Sequence, residues 1–502
     1  MSMPAERLES TPDLAQLLEG IAVAPAIPLT GIASDSRKLQ AGNLFLAYQG
    51  ATSHGLDFID QAEAAGVAAI AWDASTGSAV ESGLPMIAVK GLAEKIGEIA
   101  NRWFDFPSRA VNVIGVTGTN GKTTVAWLIS QALNLLEQRC GYVGTLGVGV
   151  NAIDSQASLT TPACIDLHAA IAGFRDVGAK YAAIEVSSHA LEQLRVDGMR
   201  FDSAIFTNLT RDHIDYHGSM QAYFESKARL FLDYDVRNRI VSLDSGFGVE
   251  LAELCGSGVV TVSTSADRVL NGRPYVFVSN VVPNPTGSRV SIASSWGSAE
   301  FSLQLPGDFN VANAIEVLAL LLCDDVPLPE ACDILGKVSA PPGRMELANL
   351  PGDVRLPKIY VDYSHTPDSL EAALTALRRH CAGKLWCVFG CGGDRDRGKR
   401  PMMGGVAERL ADCAIVTSDN PRTELPGQII DDILEGMNKD AVAIVDRASA
   451  IAHAVAGAAP DDIVLIAGKG HEDYQLIGDL TFPFSDLETA RDCLLQRGAE
   501  ST

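Results

Sequence analysis

The sequence predicts an α/β protein of three domains, two of them built on parallel sheets. At 502 residues the chain exceeds one typical domain and suits roughly three. A glycine-rich turn, Gly115-Val116-Thr117-Gly118-Thr119-Asn120-Gly121-Lys122-Thr123-Thr124, sits between a strand-like run and a helical pattern. Short apolar runs then alternate with helix-length intervals almost to the end, as parallel sheets require. A hydrophobic content of 47% is ample for full-sized cores.

In chain order, Ser10-Thr11-Pro12-Asp13 predicts a helix cap with proline in the first turn. Ile32-Ala33-Ser34-Asp35-Ser36-Arg37 and Asn43-Leu44-Phe45-Leu46-Ala47 follow, and residues 1–110 form a small α/β domain. Val111, Val113, Ile114 and Val116 predict a buried strand, and Leu128, Ile129, Ala132, Leu133 and Leu136 a helix after it. Ala182-Ala183-Ile184-Glu185-Val186 and Ser203-Ala204-Ile205-Phe206-Thr207 extend this sheet through residues 111–340, with residues 258–305 an antiparallel addition. Pro341-Pro342-Gly343 marks a linker. Residues 341–502 hold the runs Ile359–Tyr363, Leu385–Gly390, Ala414–Thr417 and Ile463–Gly468, which predict a doubly wound, Rossmann-like sheet.

Composition narrows the function classes. Acidic residues outnumber basic ones 62 to 39, a net charge of −23, which disfavours nucleic acid and anionic membranes as partners. No apolar run is long enough to span a membrane, and Met1-Ser2-Met3-Pro4-Ala5-Glu6-Arg7 lacks a basic start followed by an apolar stretch, so a soluble, cytoplasmic protein is expected. Ten scattered cysteines read as reduced, mostly buried thiols.

The glycine-rich turn carries the chemistry of a phosphate loop. Glycines let backbone N–H groups approach phosphates, Lys122 supplies a cation for the β/γ-phosphates, and the Thr123 hydroxyl can ligate Mg²⁺. The usual spacing puts a glycine at position 116, which is valine here, so this is a TGTxGKT variant of an ATP-binding loop. Ligands of open α/β sheets sit at the carboxyl ends of the strands. Glu185 in Glu185-Val186-Ser187-Ser188-His189 and His213 in Thr207-Asn208-Leu209-Thr210-Arg211-Asp212-His213 are therefore expected to face the loop. A hard cation suits Glu185; from residue type alone His213 reads as a cap or a core hydrogen-bonder before it reads as a ligand, and Lys227 as a solvated helix lysine.

In the last domain Gly343-Arg344-Met345-Glu346, Asp362-Tyr363-Ser364-His365-Thr366-Pro367-Asp368 and Gly390–Arg400 combine turns with positive charge. The run Arg395–Arg400 reads either as a solvated face or as an anion site. Asp419-Asn420-Pro421-Arg422 and Gly468-Lys469-Gly470-His471-Glu472-Asp473 end two further strands. Arg395 and Arg422, with the nearby carboxylates and amide, suit a zwitterionic ligand, because guanidinium forks bind carboxylate while Asp and Glu accept from ammonium.

These segments, with Glu-Val-Ser-Ser-His-Ala-Leu at 185–191, resemble the Mur ligase family in family order along nearly the whole chain. The resemblance implies a cytoplasmic, monomeric, ATP- and Mg²⁺-dependent amide-bond ligase of peptidoglycan precursor synthesis. Its implied substrates are ATP, UDP-N-acetylmuramoyl-L-alanyl-D-glutamate and meso-diaminopimelate, with no membrane insertion and no nucleic acid. It implies an N-terminal UDP-sugar domain (1–110), a central P-loop ATPase domain (111–340) and a C-terminal amino-acid domain (341–502). By the same resemblance, Ser34, Ser36, Ala51, Thr52 and Ser53 lie near the UDP moiety, and Thr160, Thr161, Ser187, Gln193 and Arg195 hold the muramoyl dipeptide. Gly118, Thr119, Asn120, Gly121, Lys122, Thr123, Thr124, Asn313, Arg344, Asp362 and His365 meet ATP. Thr123, Glu185, His213 and a carbamylated Lys227 hold metal, with Lys122 beside them in catalysis. Arg395, Asp419, Asn420, Pro421, Arg422, Gly468 and Glu472 hold diaminopimelate, Arg422 facing the carboxylate that lysine lacks. Leu159 stands where the family's Asn-Thr-Thr loop has asparagine.

Rival readings are another ligase of the superfamily, D-Ala-D-Ala-adding or folylpolyglutamate-forming, and a nucleotide-switched binding protein. The DNPR and GHEDYQ segments oppose the first. Against a GTPase switch, Asn438-Lys439-Asp440-Ala441 fails the guanine-motif spacing.

Overall fold

The computed structural model describes residues 11–500 except 51–52, 79, 156–158, 269, 271, 351–354 and 439–440. The expectations for Ala51 and Thr52, for Ser10 and for Lys439-Asp440 lie outside the described residues. The chain divides into two compact units, Met1–Val260 and Thr261–Thr502.

The first unit opens with a parallel sheet of β1 (Gly31–Ala33), β2 (Asn43–Ala47), β3 (Ala69–Asp73) and β4 (Met86–Val89) in sequential order. One face packs on Leu14, Leu17, Leu92, Ile96 and Ile99, the other on Ile59 and Ala62. The first helix, Leu14–Leu17, corrects the predicted cap: Pro12 precedes the helix and Asp13 is the cap. Asp13 Oδ1 accepts from Gln16 N at 2.9 Å and Gln16 Oε1 accepts from Asp13 N at 3.0 Å. Asp13→Ala is expected to cost about 1 kcal/mol of stability, read by urea denaturation.

The unit's larger sheet comprises β5 (Asn112–Thr117), β6 (Cys140–Gly144), β7 (Gly147–Val150), β8 (Tyr181–Glu185), β9 (Phe201–Phe206) and β10 (Val236–Ser242), in the order β10-β9-β5-β8-β6-β7. All neighbours are parallel except β6 and β7. β5, β8 and β9 are buried on both faces and mostly apolar, as a sheet covered by helices demands. The carboxyl ends of these three adjacent strands are Thr117, Glu185 and Phe206, and helix Lys122–Leu135 starts beside them.

β11 (Val259–Ser263), within which the second unit begins, pairs parallel with β12 (Tyr275–Asn284), which continues antiparallel into β13 (Gly287–Ser294) and β14 (Gly297–Leu303), matching the predicted antiparallel addition. A buried helix, Asp308–Cys323, follows. The last sheet contains β15 (Glu346–Leu347), β16 (Lys358–Asp362), β17 (Leu385–Phe389), β18 (Cys413–Val416), β19 (Val442–Ala443) and β20 (Ile463–Ala467) in the order β15-β16-β20-β17-β18-β19. Only β15 is antiparallel. Helices Pro367–Arg378, Lys399–Leu410 and Pro426–Leu434 cover one face through Leu370, Met403 and Ile430; Arg447–Gly457 and Asp486–Glu500 cover the other through Ile451 and Leu494. The hairpin β21 (Tyr474–Ile477) and β22 (Leu480–Pro483) stands beyond β20.

No described helix is long and apolar enough to cross a membrane. The ten cysteines form no disulfide; Cys140, Cys164, Cys332, Cys387 and Cys391 are buried and the others partly so, fewer buried thiols than the sequence suggested.

Candidate active site

The phosphate loop is fixed from the side by the segment after β9. Thr119 N donates to Asn208 O at 2.9 Å, Asn120 N to Asn208 Oδ1 at 3.0 Å, and Thr207 Oγ1 to Asn120 O at 2.6 Å. Gly118 has φ +147°, and a Cβ there would collide with Thr207 Oγ1, so this close approach requires glycine. Lys122 Nζ donates to Gly118 O at 3.0 Å and Thr119 O at 2.9 Å, which curls it over the loop.

Glu185 is fully buried and accepts four hydrogen bonds: from Tyr142 Oη at 2.5 Å, Thr145 N at 2.8 Å, Thr145 Oγ1 at 3.2 Å and Thr123 Oγ1 at 2.9 Å. Donors of this number satisfy a buried carboxylate. Thr123 and Glu185, both expected metal ligands, are thus in direct contact. Among the described residues no three His, Cys, Asp or Glu side chains gather as a metal cluster.

Lys227 overturns the reading of a solvated lysine. It is 1% exposed on helix Met220–Leu232, donates to Gly118 O at 2.8 Å and lies 4.6 Å from the Tyr223 ring centroid. Burial, with the nearby Lys122 cation, pushes its pKa well below that of an ordinary lysine. His213 is half exposed at φ +51°, at the N-cap position of helix Ile214–His217 but without a side-chain capping bond, which removes the core reading and leaves the cap to the backbone alone. It contacts Asp212 at 3.4 Å and the rings of His189 and Tyr223; Tyr223 Oη in turn lies 3.2 Å from Thr119 Oγ1.

The expected dipeptide residues are brought together. Thr161 Oγ1 donates to Glu185 O at 2.7 Å and accepts from Ser187 N at 3.1 Å, while Arg195 Nη1 donates to Thr161 O at 2.9 Å. Arg195 also holds Gln193 Oε1, and Thr160 Oγ1 lies 3.3 Å from Thr145 Oγ1. Leu159 is 44% exposed. Thr161→Val would leave the Ser187 N–H without its acceptor and is expected to cost about 1–3 kcal/mol, read by urea denaturation. Ser34 hydrogen-bonds Tyr48, whose phenol pKa burial pushes up; Ser36 starts a turn capped by Asp35, and Ser53 O accepts from Gly50 N at 2.9 Å.

In the second unit Asn313 is buried and donates to Asn310 Oδ1 at 3.2 Å. Asp362 accepts from Met345 N at 2.7 Å and from Ser364 N and Oγ, and burial raises its pKa. Arg344 stacks 4.6 Å above the Tyr363 ring, with its Nε buried and without a hydrogen-bond partner among the described residues. His365 is exposed, Nδ1 2.8 Å from Tyr363 O.

Loops after β16, β17, β18 and β20 converge at the carboxyl edge of the last sheet. Asn420 donates to Glu472 Oε2 at 2.8 Å and accepts from Lys469 Nζ at 3.1 Å and Leu476 N at 2.9 Å. Gly468, at φ +121°, would put a Cβ 2.5 Å from Asp419 Oδ2. Beneath them Arg447, fully buried, forms a bidentate pair with Asp486 at 2.7 Å and donates to Ser418 O and Ala467 O, tying the ends of β18 and β20. Arg422 donates through Nη1 to Gly393 O at 2.8 Å, Pro421 is buried, and Arg395 is exposed with no hydrogen bond or ion pair to a described residue. Lys469 is wholly buried, with its pKa lowered by burial while Asp419 pulls the other way.

Tyr142, Thr145, Asn208, Tyr223 and Arg447 were not anticipated as site residues. Positive backbone φ at Leu194, His213, Met345, Asp394 and Arg422, each beside or at a candidate residue, is the shared mark that sequence could not supply.

The family models match in three consecutive stretches: "Mur ligase family, catalytic domain" at residues 28–104, "Mur ligase middle domain" at 116–321 and "Mur ligase, glutamate ligase domain" at 343–470. With the phosphate loop, these matches define the class: an ATP-dependent ligase that forms amide bonds. The UDP-N-acetylmuramoyl-L-alanyl-D-glutamate–2,6-diaminopimelate ligase of Coxiella burnetii is 45% identical over 487 residues, 96% of this chain and 99% of that relative. Its Pseudomonas aeruginosa counterpart is 45% identical, over 92% of this chain and 94% of its own. A solved structure of a ligase with that name superposes with a TM-score of 0.73 at 33% identity, covering 97% of this chain and 100% of that one. The fold alone is shared with MurF of Acinetobacter baumannii, TM-score 0.62 at 18% identity. The chain belongs to the Mur ligase family.

Proposed function

We propose that this enzyme joins meso-diaminopimelate to UDP-N-acetylmuramoyl-L-alanyl-D-glutamate in peptidoglycan precursor synthesis, working as a cytoplasmic monomer. The carrying observation is the convergence of loops at the carboxyl end of the last sheet, where Arg395 and Arg422 both lie against Gly392, Asp419 lies against Gly468, and Asn420 holds Glu472. Near-full-length identity of 45% to ligases named for that reaction supports it. The three functional domains are 1–110 for the UDP-sugar, 111–340 for ATP and 341–502 for the amino acid; the family-model boundaries support this division.

In the first step the D-glutamyl γ-carboxylate attacks the γ-phosphorus of ATP, giving an acyl phosphate and ADP. The unprotonated diaminopimelate amine then attacks the acyl carbon, and phosphate leaves from the tetrahedral adduct as the nitrogen loses its proton. Backbone N–H groups of Gly121, Lys122 and Thr123 at the start of helix Lys122–Leu135, with the Lys122 side chain, offset charge on the phosphoryl oxygens. Thr123 and Glu185 fit a hard divalent cation, being oxygen donors 2.9 Å apart, and Mg²⁺ commonly takes one or two carboxylates plus substrate phosphates. Mg²⁺, when bound, supplies charge compensation for phosphoryl transfer. His213 and Lys227, the latter as a carbamate formed when its neutral amine adds carbon dioxide and releases a proton, complete the ligand set. Thr160, Thr161, Ser187, Gln193 and Arg195 hold the dipeptide, with Ser34, Ser36, Ala51, Thr52 and Ser53 at the UDP end. Asn313, Arg344, Asp362 and His365 serve the nucleotide.

The test is phosphate release from ATP with the UDP-dipeptide present, comparing meso-diaminopimelate with L-lysine, and product mass. Release and tripeptide formation with diaminopimelate alone is expected. Activity with lysine would overturn the role of Arg422, and silence with both would overturn the ligase substrate assignment.

A further inference from the structure

We propose that Glu424 and its fully buried partner Arg400 are positioning residues for amino-acid selection, holding the Arg395 and Arg422 loops at one separation. This rests on the diaminopimelate reading above. Glu424 lies on the segment after β18, two residues beyond Arg422. Its Oε1 accepts from Asp394 N at 2.6 Å and Arg400 Nη2 at 2.8 Å, and its Oε2 from Arg400 Nη1 at 3.0 Å and Arg397 Nη2 at 2.9 Å. Arg400 reaches Asp432 on helix Pro426–Leu434 at 2.8 Å as well. A second clip runs the other way: Asp394 accepts from Thr423 N at 3.1 Å and Thr423 Oγ1 at 2.7 Å. Gly393, facing Pro421 O too closely for a side chain, accepts from Arg422 Nη1.

The loop after β17 and the loop after β18 are therefore bolted together at residues 393–400 and 421–424, while Arg395 projects without a partner among the described residues. Two guanidiniums recognise two carboxylates only at a matched spacing, and bidentate geometry is lost with small displacements. Arg400 is unsuited to touch ligand: it is 0% exposed and its acidic partners hold its pKa above the usual value. It acts through Glu424 and the two loops. The run Arg395–Arg400 thus divides its labour, Arg400 and Arg397 fixing the loop and Arg395 facing outward.

Glu424→Gln keeps the shape and removes the charge that the Arg400 and Arg397 forks grip. The KM for meso-diaminopimelate is expected to rise about tenfold or more, the range for losing charge-assisted hydrogen bonds, with kcat and the KM for ATP within about twofold. The preference for meso-diaminopimelate over L-lysine should fall by a similar factor. Thr423→Val, which removes one exposed clip bond, gives a smaller rise in the same KM and serves if the first variant does not fold. Arg409→Met, at the surface pair with Glu371, is the control for general destabilisation of this domain. An unchanged diaminopimelate KM in a folded variant, or equal rises for all three substrates, would overturn the proposal. Should wild-type enzyme release phosphate only with some other amino acid, the substrate reading fails, and the positioning claim is judged by the KM for that amino acid.

Discussion

Lys227→Ala is expected to lower turnover by about 10²–10³-fold, the scale of removing one preorganised charge-stabilising group, without a matching rise in the KM for meso-diaminopimelate. The side chain is buried against the loop carbonyl of Gly118, so it touches the phosphate-binding turn and not the amino-acid crevice. A buried cation beside Lys122 is costly, and the depressed pKa favours the neutral amine, the form that adds carbon dioxide. Carbamylation converts this group into an anion compatible with a metal site. Intact-protein labelling with isotopic carbon dioxide should report one modification in wild type and none in the variant. Formate or propionate should restore part of the variant's phosphate release; no restoration would leave Lys227 as a structural amine.

The same residue sets a pH dependence of stability. Its folded pKa lies below the unfolded value of about 10.4, so between the two the unfolded chain binds the extra proton. Stability then rises with pH through that window and is lost as pH falls from about 10.4 toward the folded pKa. In buffer free of carbon dioxide, Lys227→Met should show a flatter Tm against pH over that range than wild type. Parallel curves would remove Lys227 as the source.

Much of this was legible in the sequence because the signals were local. The strand, loop and helix at 112–135 follow from apolar runs around a glycine turn, and four of the last sheet's five parallel strands from runs separated by helix-length intervals, the two-residue β19 being too short to show. Residues contributed by distant loops were not legible. Lys227 looks like any helix lysine, since its burial is decided by Gly118, 109 positions away. Arg447 and Asp486, 39 residues apart, carry no pattern that pairs them, and Tyr142 meets Glu185 only once β6 and β8 lie side by side. The charge run Arg395–Arg400 shows the limit most directly: composition gave one basic stretch, while the fold sends neighbouring guanidiniums to opposite fates.

Arg422→Ala is expected to raise the KM for meso-diaminopimelate about 100-fold, the scale of losing a bidentate guanidinium–carboxylate contact, and to leave the KM for ATP within about twofold. Backbone geometry explains why arginine at this position faces a ligand. At φ +51° the residue is left-handed, its N–H donates to Leu476 O at 3.0 Å, and its carbonyl accepts from Gly478 N at 2.7 Å. The main chain is therefore clamped to the β21–β22 hairpin, and one Nη1 bond to Gly393 O aims the guanidinium while its other donors remain for a carboxylate. Lysine offers no fork, so Arg422→Lys should recover little of the loss. Arg422→Gly separates recognition from folding: glycine relieves about 1 kcal/mol of left-handed strain, which offsets the lost Gly393 bond. Its stability in urea should therefore stay close to wild type while the diaminopimelate KM rises as in the alanine variant. A stable glycine variant with an unchanged KM would remove Arg422 from the recognition set.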